Sequence, residues 1–284
     1  GVTHALATCS YWPEEGARGM TFPALFAEYA KGYRDRYGLG DGELARMLAS
    51  VAALCYRNGL ENPLAHFGRG GPSDRLGLVT AEAILALPPE KNPMIAEPLR
   101  LHDCSLVTDG AAALVIVGPD HPAAKRGRAV RIAGVGHANE RLAISSRENM
   151  YELQAAKRAA SLAFAEAGVS SGDIDVAEVH DCFTINQLLC TEALGLSADG
   201  RAGYDYVDGR FGPDDQVSVN LSGGLKAKGH PVGATGVSMH ALLYKQLVGE
   251  PIGLAPAKAP EIGVTLNVGG SAATNCVSVL RRER

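Results

Sequence analysis

Residues 218–236 read SVNLSGGLKAKGHPVGATG, and the rest of the chain is organised around them. The stretch opens as a β-type run through Ser218 to Asn220, then passes Ser222, Gly223 and Gly224 and a lysine-flanked turn. It reaches His230-Pro231 and enters a helix rich in small residues. Five glycines (Gly223, Gly224, Gly229, Gly233 and Gly236) fall in this one window. Such a density marks a backbone that takes positive φ angles or lets another group approach closely. Two readings fit the spacing. In one the turn frames a catalytic imidazole; in the other it is the glycine-rich strand-to-helix turn of any α/β protein, and the histidine is incidental.

Two further signals lie outside that window. Val179-His180-Asp181-Cys182-Phe183 reads as the C-terminal end of a strand. Side chains alternate along a strand, so His180 and Cys182 point to one face and Asp181 to the other. Ligand sites of α/β sheets gather at such ends. The competing reading makes Cys182 a small buried apolar residue and His180 a hydrogen-bonded end residue. Near the C-terminus, Asn267-Val268-Gly269-Gly270-Ser271 ends another strand. Consecutive glycines leave backbone N–H groups uncovered, which suits an oxyanion hole, although a hairpin turn also calls for glycine.

With 284 residues, 46% hydrophobic and 20% charged, the chain has the composition of a soluble globular protein with more than one folding unit. Its net charge of -4 gives no bulk attraction to nucleic acid or to an anionic membrane. No unbroken apolar run is long enough to span a bilayer, and no secretory signal is visible. The six cysteines form no C-x-x-C pair, which favours reduced thiols in the cytoplasm over disulfides or a zinc site.

Periodicity predicts two helices between Thr21 and Asn58, the first stopping at Gly38, and a further helix from Thr80 to Leu87. This α-rich part is followed by LHDCSLVTDGAAALVIVG (101–118), whose apolar run suits a strand buried on both faces or a helix segment turning into one. A polar, basic, proline-bearing stretch from Pro119 to Arg128 marks a domain boundary. Beyond it, strands at 130–135, 173–180 and 217–221 alternate with helices at 151–168, 183–194 and 233–247. Strands at 262–268 and 273–280 close the chain as a hairpin. That order predicts a sheet covered on both faces.

HDCF, NLSGGLKAKGHPVGATG and NVGGSA, in that order and each at a strand end, resemble the C-terminal half of a thiolase. The resemblance is closest to the sterol-carrier-protein-X type, which carries HDCF where other thiolases have an asparagine-containing motif. EPLRLHDCSLVTDGAAALVI (97–116) is similar to the return from the loop domain into the N-terminal domain, and NGLENPLAHF (58–67) to the loop domain itself. The resemblance implies a thiolase-like α/β fold, layered, with a mixed sheet. Residues 1–120 would be the remainder of an incomplete N-terminal domain, with an α-rich loop domain at about 20–100, and residues 121–284 a complete C-terminal domain.

It also implies roles. His230 takes the proton of a nucleophilic cysteine and lines an oxyanion hole, which His180 completes through a bound water. Cys182 is the second acid/base, moving a proton at the α-carbon of an acyl-CoA. Most thiolases use the cysteine of a C-x-G motif there, a position held here by Asn267. Gly269 gives a backbone N–H to a second oxyanion hole, and Asn220, Ser222, Gly223, Pro231 and Asn267 fall to substrate binding. Negative charge develops on a thioester oxygen in such chemistry, and each preorganised donor lowers the barrier by roughly 3–4 kcal/mol. A thiol exchanging protons near neutral pH needs a neighbour, such as a histidine, to poise it.

One departure from the family pattern is serious. The nucleophilic cysteine lies at a strand-to-helix turn early in the N-terminal domain. Cys9, followed by Ser-Tyr-Trp-Pro, lacks the small-residue helix start of that site, and Cys104 lies in the later return segment. The chain also opens without methionine and in mid-pattern. The expectation is a chain without its first β/α units and without the nucleophile, inactive by itself.

The leading function is thiolytic cleavage of 3-oxoacyl-CoA or the reverse condensation. The alternatives are a non-catalytic scaffold subunit, or a retro-aldolase acting on a CoA-linked side chain. Relatives of the last kind tend to replace the HDCF cysteine and the GHP motif, both intact here. CoA and acyl-CoA are implied as substrates, with no metal or redox cofactor. A homodimer or homotetramer is implied as the assembly, and a small acyl-CoA-binding protein as the partner in the scaffold reading.

Overall fold

The computed structural model describes residues 10–125 and 128–283. Cys9, weighed above as a nucleophile, lies outside the described residues. Helix α1 (Phe22–Tyr37) stops at Gly38, which takes φ 65° and returns its N–H to the Arg34 carbonyl. Helix α2 (Asp41–Gly59) begins with Asp41 and Glu43 in its first turn, where carboxylates oppose the positive end of the helix dipole. Leu44, Met47, Leu48 and Val51 form its buried stripe. Two short helices follow, α3 (Pro72–Arg75) and α4 (Ala81–Leu85); Thr80 caps the latter by accepting from the Ala83 N–H. Strands β1 (Met94–Ala96) and β2 (Leu99–Arg100) then pair as a small antiparallel ribbon.

The main sheet has five strands: β3 (Val130–Asn139), β4 (Val176–Val179), β5 (Ser218–Val219), β6 (Ile262–Gly269) and β7 (Thr274–Arg282). Their spatial order is β3-β7-β6-β4-β5. β5, β4 and β6 run parallel, and β7 runs antiparallel to both β6 and β3. The predicted mixed sheet and its closing hairpin are therefore present. Helix α5 (Gln154–Ala167) lays its alanines on one face. Contact there is so close that a Cβ on Gly136 would sit 1.8 Å from the Ala159 carbonyl oxygen. Helix α9 (Thr235–Leu247) covers part of the other face, with Leu243 and Leu247 packed on Val176 and Leu280.

Three helices went unlocated in the alternation: α3, α7 (Ala202–Val207) and the five-residue α8 (Gly224–Lys228), which replaces the expected lysine-flanked turn. Helix α6 (Thr184–Ala193) is buried along its whole length. The α-rich first part keeps a small core, where Ala49, Ala52 and Tyr56 pack with Leu78, Ala81 and Ile84, and also contributes to the main one. Phe26 of α1 stacks on Phe183 at 4.6 Å between ring centroids, and Met47, Val51 and Leu54 join the same cluster as Ile185 and Leu188. Each such side chain withdrawn from water contributes about 1.5–3 kcal/mol.

The run 101–118 does not form the buried strand its composition suggested. Residues 105–118 contain no strand, and Val115 and Ile116 are 92% and 72% exposed. Only isolated bridges form, from Cys104 to Phe183 and from Val107 to His230. A β-branched run becomes a strand only when a neighbour supplies ladder partners, and no described strand lies beside 111–118. Among the described residues, no helix is long and apolar enough to cross a membrane.

Candidate active site

The site is built at the carboxyl edge of β4 and β6. Pairing continues one residue past β4, where the His180 N–H donates to the Leu266 carbonyl at 3.0 Å. On the β5 side the neighbouring strand is only two residues long, and the Asn220 side chain takes over its work. Its Oδ1 accepts from the Val179 N–H at 2.8 Å, and its Nδ2 donates to the Val179 carbonyl at 3.3 Å and to Gln187 Oε1 at 3.1 Å. Asn220 holds φ 51°, a left-handed conformation that asparagine tolerates better than most residues.

Asp181 has partners other than those of His180. Its carboxylate accepts the Leu225 N–H at 2.6 Å and the Lys226 N–H at 2.9 Å. It thereby ties the HDCF end to the first turn of α8, whose N–H groups have no partner within the helix. Gly224 is required for this approach: it takes φ 60°, and a Cβ there would lie 2.2 Å from Asp181 Oδ2. Burial pushes the Asp181 carboxyl up, and the two backbone donors pull it back down. Lys226, just beyond, is 2% exposed. Its ammonium donates to the Cys104 carbonyl at 2.7 Å and sits 4.7 Å from the Tyr56 ring centroid, joining α2, α8 and the 101–105 segment.

The two motif histidines meet. Their rings stand edge to face, 5.1 Å between centroids, and His180 and His230 are 6% and 9% exposed. Hydrogen bonding fixes their tautomers. The Thr235 hydroxyl donates its one proton to the Pro231 carbonyl at 3.0 Å, so at 2.8 Å from His230 Nδ1 it accepts. Nδ1 of His230 therefore carries the hydrogen, and Nε2 keeps a free lone pair. His180 Nδ1 lies 2.9 Å from Asn267 Oδ1 and donates to it, leaving its own Nε2 as an acceptor. An acceptor at that nitrogen suits a water that donates onward to an oxyanion.

Both rings are held neutral. Burial, helped by the Lys228 charge and opposed by the bond to Asn267, lowers His180 to about 4. Burial, His180 and Lys228 together hold His230 at about 3. A neutral imidazole with a free Nε2 is a base, which is what a proton-accepting role requires.

Cys182 lies three residues past the end of β4 and is 8% exposed. Burial pushes its thiol well up, and nearby Cys190 and Asp181 add to the effect. A histidine that poises this thiol near neutrality, expected from the sequence, is not what the surroundings provide: the described influences other than a backbone bond all favour the protonated form. Cys182 is a thiol at neutral pH, suited to giving a proton before taking one.

The remaining motif residues divide by depth. Ser222 is fully buried and donates to Glu178 Oε2 at 2.8 Å; burial pushes that carboxyl up to about 7. Gly223 is buried at the start of α8, and Asn220 is committed to β4. These three build the frame from beneath. Pro231, Asn267 and Gly269 are half-buried at the surface of the site. Thr235 was missed by sequence reasoning. Its one signal is a hydroxyl in the first turn of the helix that follows GHP. The orienting bond from Asn267 to His180 was also missed, since it spans 87 residues of chain.

Comparison with known proteins agrees with this geometry. Residues 136–282 match the family model described as thiolase C-terminal domain-like. The acetyl-CoA acetyltransferase of Methanothermobacter thermautotrophicus is 37% identical over 280 residues, covering 99% of this chain and 68% of that protein. Sterol carrier protein 2 of Rattus norvegicus is 30% identical over 236 residues, covering 80% of this chain and 40% of that protein. Among solved structures, the Ltp2-ChsH2(DUF35) aldolase has the same fold, with a TM-score of 0.77 at 18% identity over 96% of this chain and 67% of that one. Fold, motif order and relatives agree: the chain belongs to the thiolase family.

Proposed function

We propose that the chain carries the C-terminal half of a thiolase active site, cleaving 3-oxoacyl-CoA with CoA or running the reverse condensation. The observation that carries this is the His180–His230 pair, 5.1 Å apart, with both Nε2 lone pairs free at the edge where Cys182 and Gly269 also lie. In this reading His230 Nε2 accepts the proton of an acyl-accepting thiol. His180 orders a water against the thioester oxygen. Cys182 moves the α-carbon proton; Gly269 is the proposed donor to a second oxyanion hole, for which its N–H, paired with Thr274 in the β6–β7 ladder, has to open toward the substrate. Pro231 and Asn267 border the acyl-CoA. No metal or redox cofactor is needed for these steps, since each is a proton transfer or an acyl transfer between thiols.

The nucleophile is proposed to be neither Cys9 nor any of the five described thiols. In support, burial raises all five of them: Cys55, Cys182, Cys190 and Cys276, with Cys104 pushed up to about 12. A thiolate at neutral pH needs the opposite surroundings. A homo-oligomer in the cytoplasm remains the proposed setting. A small acyl-CoA-binding partner of the DUF35 kind, named in the Ltp2-ChsH2(DUF35) structure, is the proposed companion under the scaffold reading.

The test has two arms. The chain incubated with acetyl-CoA is expected to show no acetyl adduct by intact mass, and a stoichiometric adduct on Cys9 or Cys104 would refute the placement of the nucleophile. In a preparation that turns over, Cys182→Ala is expected to spare acyl-enzyme formation and abolish condensation, while His230→Ala impairs acylation as well. Loss of both steps in Cys182→Ala would contradict its role.

A further inference from the structure

The β6–β7 hairpin turns through residues 270–273, where Gly270 takes φ 61° and Ala272 φ 66°. Ala272 carries a Cβ, so its backbone holds strain that only an over-determined turn retains. The side chain that over-determines it comes from the β3–α5 connection. Arg147 Nη1 donates to the Ser271 carbonyl at 2.5 Å, and Nη2 donates to Ser271 Oγ at 3.2 Å. The same guanidinium donates through Nε to the Arg141 carbonyl at 2.8 Å, through Nη2 to the Leu142 carbonyl at 3.3 Å, and through Nη1 to the Tyr29 hydroxyl.

Tyr29, on α1, donates in turn to the Ser271 carbonyl at 3.4 Å. Ser271 is fully buried and Tyr29 is 2% exposed. From the opposite side Asn275 Nδ2 holds the Ala272 carbonyl at 2.9 Å. All of these Arg147 contacts are to neutral oxygens, so its charge acts on the turn instead of being neutralised by a carboxylate.

We infer that Arg147 is a positioning residue: it clamps the 270–273 turn between α1 and the β3–α5 connection, and so fixes the end of β6, where Gly269 pairs with Thr274 and Asn267 orients His180. Gly269 lies two residues past Asn267, on the same face of β6 as the side chain that orients His180. The inference rests on the reading of this end of β6 as part of the acyl-transfer site, and it accounts for a strained alanine in the turn. It also makes α1, far from the motifs in sequence, part of the frame of the site.

Hydrogen–deuterium exchange on the 284-residue chain reads the clamp without any activity. Arg147→Met is expected to speed exchange of the 269–273 amides by roughly tenfold or more, leaving the α9 amides unchanged. Tyr29→Phe removes one hydroxyl, keeps the ring, and is expected to give a smaller rise of about threefold. It decides the matter if Arg147→Met does not fold. An unchanged turn, or a uniform rise across the whole sheet, overturns the clamp. In a preparation that turns over, Arg147→Met is expected to lower kcat with KM for acyl-CoA within about twofold, and Arg147→Lys to recover part of the loss. A rise in KM at unchanged kcat overturns the link to the end of β6. If the turn loosens as expected while Arg147→Met leaves kcat and KM unchanged in a preparation that turns over, the clamp stands and its link to the site falls; if no preparation containing the chain transfers an acyl group, the clamp stands and the acyl-transfer reading falls.

Discussion

Thr235→Val is the most direct test of how His230 is made into a base. The replacement keeps the shape of the side chain and removes its hydroxyl, which accepts from His230 Nδ1 at 2.8 Å and donates to the Pro231 carbonyl at 3.0 Å. In the wild type, the alternative Nε2–H tautomer would force the hydroxyl to donate to Nδ1 and give up Pro231. That loss is worth about 0.5–1.5 kcal/mol. Pro231 keeps other donors, the N–H groups of Ala234 and Thr235, so the figure belongs at the lower end. In Thr235→Val, the Nδ1–H form instead buries a donor without an acceptor, at a cost of about 1–3 kcal/mol.

The two effects act in the same direction. Their sum exceeds the 1.4 kcal/mol that corresponds to a tenfold change in an equilibrium. The tautomer ratio is therefore expected to swing by at least about tenfold toward Nε2–H. Long-range proton–nitrogen NMR of the imidazoles at pH 7 reads this directly, well above the value of about 3 at which His230 protonates. Thr235→Ser is expected to keep the wild-type pattern. A wild-type His230 protonated at Nε2, or a Thr235→Val spectrum matching the wild type, would refute the reasoning.

Two further outcomes follow from the same geometry. Asn267→Asp places a carboxylate 2.9 Å from His180 Nδ1, which favours the imidazolium; the titration midpoint of His180 is expected to rise from about 4 by one unit or more, and an unmoved midpoint counts against the pairing. For stability the sign runs the other way in the wild type. His180 and His230 sit below the unfolded value of 6.5, so their contribution is present above that pH and is lost as pH falls toward about 4 and about 3. Urea unfolding at pH 7 and pH 4.5 is expected to show the Asn267→Asp chain losing less of this contribution. Gly136→Ala would drive its Cβ into the Ala159 carbonyl and is expected to cost about 2–4 kcal/mol in urea unfolding, against near-neutral effects at exposed α5 positions such as Leu162.

Local pattern carried most of the fold. Helical spacing of apolar residues marked α1, α2, α5, α6 and α9, and alternation with glycine marked the strands, because a helix or a strand is written in neighbours two to four residues apart. The motifs at 180–183, 218–236 and 267–271 were legible as strand ends, and their resemblance to one family tied them together.

Tertiary structure decided what periodicity cannot encode. The run 111–118 has the composition of a strand and remains exposed, since a strand is defined by a partner and the run itself supplies none. The tautomers of His180 and His230 depend on one amide and one hydroxyl oriented by the packing of β6 and α9. The grip of Arg147 on Ser271 joins positions 124 residues apart. Cys182 is a thiol and not a thiolate because of what surrounds it in space, and burial is a property of the folded chain as a whole. The sequence by itself determined which residues stand at the edge of the sheet; only the fold determined which of them hold protons, because protonation answers to distance, solvent and hydrogen-bond partners and not to order along the chain.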